Sequence, residues 1–247
     1  MSMLRRGSLR LALAAMASAG FISPASAATA TYGYDMDETS GTVMRGSGGA
    51  PNGAISGDVR LGVAGVSGTA YAFNETVGSC DSSWNVTGTG SVVIPSSSAF
   101  DVGTQPFRFS VWLNTTTVPG ADSGASKDCD FDVWRRAASW KMEVIPKGTA
   151  PNLYGVPLCV WNGVRGGTAT HVALTNKSVA VTDGRWHQVT CSRTKSGEQL
   201  LVDGTVAASS SVNLGAINTT AKIYVGTQAG GGDYYEGSLD DLTFAKG

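Results

Sequence analysis

The segment Asp128-Cys129-Asp130-Phe131-Asp132-Val133-Trp134 holds the residues best placed to do chemistry. In a strand, Asp130, Asp132 and Trp134 fall on one face and Phe131 and Val133 on the other. Carboxylates two residues apart in a strand stand about 7 Å from each other, within the range glycosidases use for a pair of acidic groups. The pair lacks a glutamate, however, and Cys129 beside it reads as an anchor, so hydrolysis ranks below binding. For binding, exposed aromatics matter, because sugar rings stack their C–H faces on indole and phenol rings. Trp112 and Trp134 are candidates, as are Tyr234 and Tyr235, which follow the backbone-exposing glycines of Ala229-Gly230-Gly231-Gly232-Asp233. Each has a plain structural alternative: Trp112 packing under a crossing loop, the tyrosines restarting a last strand. The chain has only two histidines, His171 and His187. They exclude a histidine-rich metal site and poorly supply a nucleophile–histidine triad.

The elements that must position these groups are strands. In Phe107-Arg108-Phe109-Ser110-Val111-Trp112-Leu113-Asn114, the residues Phe107, Phe109, Val111 and Leu113 share one face, and Trp112 lies on the other. Similar strands are predicted at 70–74, 91–95, 131–135, 140–145, 158–161, 171–174, 186–193, 199–202, 223–226 and 238–244, with turn residues between them. The sequence shows neither a long amphipathic helix nor a linker. Ten or more strands without a helix predict an all-β, two-sheet antiparallel jelly-roll sandwich.

Residues 1–27 read as a secretory signal peptide. Arg5, Arg6 and Arg10 precede an apolar run from Leu11 to Ile22, and Ala25-Ser26-Ala27 supplies a small-x-small cleavage pattern. The expected product is a secreted single domain over 28–247 with no membrane anchor, taken as a monomer. Removing the leader leaves 15 basic against 19 acidic residues, a net charge of −4. There is no basic stripe for phosphate backbones, which argues against a nucleic-acid partner.

Four cysteines in an exported chain read as two disulfides, with three pairings open. Cys159 and Cys191 lie in strand-like segments, Cys80 and Cys129 in Asp/Ser-rich loops. The expectation is Cys159–Cys191 tying two strands and Cys80–Cys129 tying two loops.

Several short motifs in order resemble the laminin G-like jelly roll of the concanavalin A-like lectin/glucanase superfamily. They are Met36-Asp37-Glu38-Thr39-Ser40-Gly41-Thr42, Gly68–Asn74, Phe107–Asn114, Asp183-Gly184-Arg185-Trp186-His187-Gln188-Val189, Val202-Asp203-Gly204 and Gly237–Phe244. The family usually has Asp at the position of Asn74. On a strand Trp186 and His187 face opposite ways, Trp186 sealing core or edge, so they are not read as a site. The resemblance implies a structural Ca²⁺ where the N- and C-terminal strands meet, with Asp37 and Asp240 as ligands. The run Val43-Met44-Arg45-Gly46-Ser47 departs from the family there, placing an arginine where a further acid is common. The glucanase pattern Glu-x-Asp-x-x-Glu is absent, and so are the Arg and Gln-x-His strands of the alginate lyases. The expected function is therefore non-catalytic recognition of an extracellular polysaccharide or other glycan. A divergent glycoside hydrolase or lyase, and an adhesion module binding a cell-surface protein, are the alternatives.

Overall fold

Strand β7 (Phe107–Asn114) sets the frame, because the four residues expected from the alternation are all buried, with Ser110 of the other face covered too. The computed structural model describes residues 29–74, 86–120, 129–149 and 151–247. The expected leader, Cys80 and Asp128 lie outside them. Before β7 come β1 (Ala30–Tyr34), β2 (Val43–Met44), β3 (Gly53–Ser56), β4 (Val59–Ala64), β5 (Thr69–Phe73) and β6 (Ser91–Ile94). After it come β8 (Phe131–Arg136), β9 (Trp140–Thr149), β10 (Asn152–Arg165), β11 (Thr168–Thr175), β12 (His187–Thr194), β13 (Gly197–Val202), β14 (Thr205–Ser210), β15 (Ile223–Val225) and β16 (Gly237–Lys246). One short 3₁₀ turn, Ser98–Phe100, is the sole helical element among the described residues, and none of them forms a helix able to cross a membrane.

The strands form two antiparallel sheets, as a jelly-roll sandwich requires. The first runs β14-β13-β12-β7-β16-β5-β4, with β1 pairing the second half of β16; the second runs β11-β10-β9-β8-β15-β6-β3-β2. Strands β1, β2, β3, β4 and β14 were not expected from sequence. They lie toward the sheet margins, where strands are short or only partly buried, as in the two-residue β2 and in β4, which has no fully buried residue.

Aromatic rings from both sheets interlock between them. Phe109 of the first sheet lies 4.4 Å, centroid to centroid, from Trp140 and 5.7 Å from Trp134, both of the second, while Trp134 and Trp140 stand edge to face at 5.6 Å. Phe244 packs on Trp140 at 5.7 Å. Such contacts contribute about 0.5–1.5 kcal/mol each beyond burial of area. Arg136 enters the same layer without an orphaned donor, bonding the carbonyls of Phe100, Thr219 and Ala221 and the Asp101 carboxylate.

Cys159 on β10 and Cys191 on β12 form the expected disulfide, with Cα atoms 5.7 Å apart, and it joins the two sheets. Cys129 is buried and disulfide-bonded. Because the Cys159–Cys191 link spans 32 residues of chain, replacing both cysteines by alanine is expected to lower stability by about 3–4 kcal/mol. Urea denaturation followed by tryptophan fluorescence measures this, and an unchanged midpoint refutes it.

Candidate functional site

A β-bulge decides which side chains of β8 face outward. Register slips by one between Asp132 and Trp134: Asp132 opposes Glu143, but Trp134 opposes Met142. The extra residue puts Phe131 and Trp134, three apart, both into the core. Asp132 and Arg135 turn to the outer face, away from the opposite sheet. The expected common face of Asp130, Asp132 and Trp134 therefore does not form, and Trp134 is fully buried between Phe109 and Trp140.

On this outer face like charges sit directly opposite one another, Asp132 against Glu143 and Arg135 against Lys141. Such pairs are unfavourable across strands. Relief comes along each strand: Arg135 bonds Asp132 Oδ2, and Lys141 bonds Glu143 Oε1. Each base engages one carboxylate oxygen, and the second oxygens, Asp132 Oδ1 and Glu143 Oε2, are buried without a hydrogen-bond partner. In register with Arg135 on its other side is the half-buried Tyr224 of β15.

Two more acids join from loops. Asp130 lies just before β8, half-buried. Asp233 is delivered by the turn after β15, whose geometry needs Gly226: its φ is +77°, and a Cβ there would lie 2.5 Å from the Phe73 ring. That turn is fastened to β8 by the Asp132 N–H donating to the Asp233 carbonyl (2.8 Å) and to the opposite side by the Tyr234 N–H donating to the Val86 carbonyl (3.1 Å). Burial, with the charges of Asp233 and Asp132 added, pushes the Asp130 carboxyl up to about 8. Burial also raises Asp132 and Glu143, against the pull of Arg135 and Lys141. Asp233 is raised chiefly by burial and then by the charges of Asp132 and Glu143.

The other expected residues are dispersed. Tyr235 is wholly buried at the entry to β16, its ring against Phe73 and Phe131 and its hydroxyl 3.3 Å from the Asn114 and Ser238 carbonyls. Tyr234 points the other way, half-buried over Gly88 and beside the cluster. Trp112 is half-buried on the outer face of the first sheet, between Gln188 and Asp240 in register, and does not join Asp130 and Asp132. Glu143, Lys141, Arg135, Asp233 and Tyr224 were missed by sequence reasoning. The signal for the first three was present, since folding the expected strands 131–135 and 140–145 into a hairpin sets them opposite each other.

Asp37 and Asp240 do converge at the junction of the terminal strands. Both grip the β4–β5 turn: Asp240 Oδ2 accepts from the N–H groups of Val66 (2.7 Å) and Ser67 (3.3 Å), and Asp37 Oδ1 from that of Thr69 (2.6 Å). Asp240 Oδ1 is buried without a partner. Burial raises the Asp240 carboxyl, backbone N–H groups lower it, and Asp37 adds a raising charge; Asp241 is raised by burial and by Asp240, Asp35 and Asp37. Beside them a cavity of about 260 Å³ is lined by Asp35, Met36, Asp37, Glu38 and Arg45. The Arg45 guanidinium is exposed and 3.7 Å from Glu38.

A model of a family described as the concanavalin A-like lectin/glucanases superfamily, Laminin_G_3, matches residues 86–246. No curated protein matches in sequence. Among solved structures, the binding domain of Paraclostridial Mosquitocidal Protein 1 is similar with a TM-score of 0.56 and 16% identity, covering 87% of this chain and 47% of that one. Domain 4 of AbnA, an extracellular arabinanase from Geobacillus stearothermophilus, in complex with arabinotriose, is similar with a TM-score of 0.55 and 14% identity, covering 89% and 92%. A mutant of HCR/D gives a TM-score of 0.56 and 10% identity, covering 87% and 47%. The chain thus spans about half the length of the first and third of these and nearly all of the arabinanase domain. At these identities the likeness shows the fold.

His187 is structural. Trp186 beside it is half-buried. The imidazole Nδ1 is 2.8 Å from Asp203 and its Nε2 3.0 Å from Asp183, so both nitrogens face carboxylates and the ring staples the 183–186 turn to the β13–β14 turn. Burial opposes its protonation, but hydrogen bonds to Asp203 and Asp183 prevail and raise its pKa. A raised folded pKa gives stability that is present below the ordinary value of about 6.5 and lost as pH rises through the folded value. The stability difference between the protein and its His187→Gln variant is expected to be largest below pH ~6.5 and to shrink above it. Chemical denaturation at a series of pH values checks this; a difference that grows with pH contradicts it.

Proposed function

Because this chain belongs to the concanavalin A-like lectin/glucanase superfamily, we propose that it is a secreted, non-catalytic module that binds an extracellular glycan on the outer face of its second sheet. The observation that carries the reading is the row Tyr224–Arg135–Lys141, three half-buried side chains in register across β15, β8 and β9, with Tyr234 and Asp130 at its border. A phenol ring offers a stacking surface, and guanidinium, ammonium and carboxylate groups bond sugar hydroxyls; a few convergent polar groups beside aromatic surface is the usual make-up of a ligand site. Domain 4 of AbnA, similar in fold over nearly its whole length, holds arabinotriose, which supports the choice of ligand class. Export is supported by the leader pattern of residues 1–27 and by the Cys159–Cys191 disulfide, a bond that persists in oxidising compartments. Against hydrolysis stands the burial of the acidic pair opposed across β8 and β9: Asp132 is 0% and Glu143 1% exposed.

The Ca²⁺ implied by the family has a fitting place at the terminal-strand junction. Asp240 Oδ1 is a buried oxygen without a partner, and Asp37 and Asp240 each use one oxygen on the β4–β5 turn. Asp37 and Asp240 would hold the ion through their remaining oxygens, and it would neutralise a junction otherwise rich in acids. Its role there is structural, tying that turn to both terminal strands.

Two experiments test these readings. On a glycan array, Tyr224→Ala and Tyr234→Ala are expected each to weaken the strongest sugar by about 1 kcal/mol, roughly five-fold. Unaltered binding moves the site elsewhere, an array without binding favours a protein partner, and release of free sugar makes the protein an enzyme. In thermal unfolding, Ca²⁺ is expected to raise Tm and Asp240→Asn to abolish the rise; a rise that survives that substitution removes the ion from the junction.

A further inference from the structure

We propose that Asp130, Asp132 and Glu143 form a second divalent-cation site, suited to Ca²⁺, set into the outer face of the second sheet. The geometry comes first. Each residue offers a carboxylate oxygen, and these atoms all lie within 4.8 Å of one another. Oxygens sharing one Ca²⁺ ion, each at about 2.3–2.6 Å from it, are separated by about 5 Å at most, and the separations here fall within that span, so a small inward shift of the side chains lets one ion take all three. They come from the segment before β8, from β8 and from β9, and a cross-strand pairing fixes Asp132 against Glu143.

The second observation is independent of proximity. Asp132 and Glu143 are 0% and 1% exposed, yet Asp132 Oδ1 and Glu143 Oε2 have no hydrogen-bond partner. Arg135 and Lys141 occupy only the other oxygen of each carboxylate. Buried polar atoms are almost always satisfied, and two anionic oxygens left over on adjacent strands point to a cation. Charge agrees. Asp130, Asp132, Glu143 and Asp233 interact electrostatically with one another and with Arg135 and Lys141, so four acids face two bases. The surplus equals the charge of one divalent ion. An all-oxygen, hard donor set suits Ca²⁺, Mg²⁺ or Mn²⁺ rather than Zn²⁺ or Cu²⁺, and the irregular spacing, with one ligand outside the sheet, favours the more tolerant coordination of Ca²⁺ over the strict octahedron of Mg²⁺.

The cation site borders the proposed glycan face but does not depend on it, and it is read out without sugar. Calorimetric titration of Ca²⁺ into the disulfide-bonded protein carrying Asp240→Asn, which disables the junction, is expected to show one equivalent bound with a Kd on the order of 0.1–1 mM, the range of extracellular modules. Adding Asp132→Asn or Glu143→Gln is expected to weaken it roughly ten-fold or more. A measurement free of substitutions guards against misfolded variants: Mn²⁺ added to the unaltered protein should broaden the amide resonances of 131–133 and 142–144. Absence of binding in the Asp240→Asn protein, binding indifferent to both added changes, or broadening confined to 35–38 and 65–69 overturns the site. A protein that binds Ca²⁺ in this way but no sugar retains the cation site and loses the glycan reading. Sugar binding without any such Ca²⁺ uptake does the reverse.

Discussion

Most of this structure depends on the contact of Phe109 with Trp134 and Trp140, where the two sheets meet. Three large rings within 4.4–5.7 Å of each other fill the space between the layers. For Trp134 to reach that layer while Phe131, three residues earlier, also stays inside, β8 has to carry one residue more than its partner. The bulge at Asp132–Trp134 is thus demanded by the core, and the outward array of Asp132, Arg135, Lys141 and Glu143 follows on the other side. Strict alternation would have placed the acid and the indole together on the outer face and deprived the core of its central ring.

The same device recurs at β16. Its register with β7 slips between Asp240 and Thr243, with Asp241 at φ +49°. Leu239 and Leu242, again three apart, are both buried, and Asp240 is turned toward the β4–β5 turn, whose N–H groups it accepts. In each sheet a bulge converts a core requirement into an outward-facing carboxylate held by a rigid strand. Sites on strands hold their geometry better than sites on loops, and both acidic centres of this molecule are built in that way.

How far the sequence could be read follows from these two slips. Strands β7, β12 and β13 were legible because their inward faces alternate with period 2, and the Cys159–Cys191 pair was legible because both residues sat in strand-like segments, β10 and β12. Period 2 is also what misled the reading of β8: an inserted residue reverses the faces beyond it, and nothing in Phe131-Asp132-Val133-Trp134 marks where the insertion falls. Tyr235 was misplaced for a related reason, since adjacent tyrosines at a strand entry must point opposite ways and only tertiary packing selects the inner one. Glu143 and Lys141 join Asp132 and Arg135 only through the pairing of β8 with β9, because cross-strand neighbours, rather than residues close in sequence, are the unit of a sheet surface. Asp37 and Asp240, by contrast, came from the family resemblance, and the structure brings them to the same turn.

The fold hosts unrelated functions, and membership alone does not choose among them. What narrows the choice here is where the charge is placed. A hydrolase needs carboxylates that touch a sugar at the glycosidic bond, and Asp132 and Glu143, opposed across β8 and β9, are buried and held by Arg135 and Lys141. What the outer face leaves half-exposed is a phenol, a guanidinium and an ammonium in one row, the two bases bonded to the buried Asp132 and Glu143. On the proposed reading, a ring and donors fixed by buried anions would hold a hydroxyl-rich ligand in place rather than cleave it.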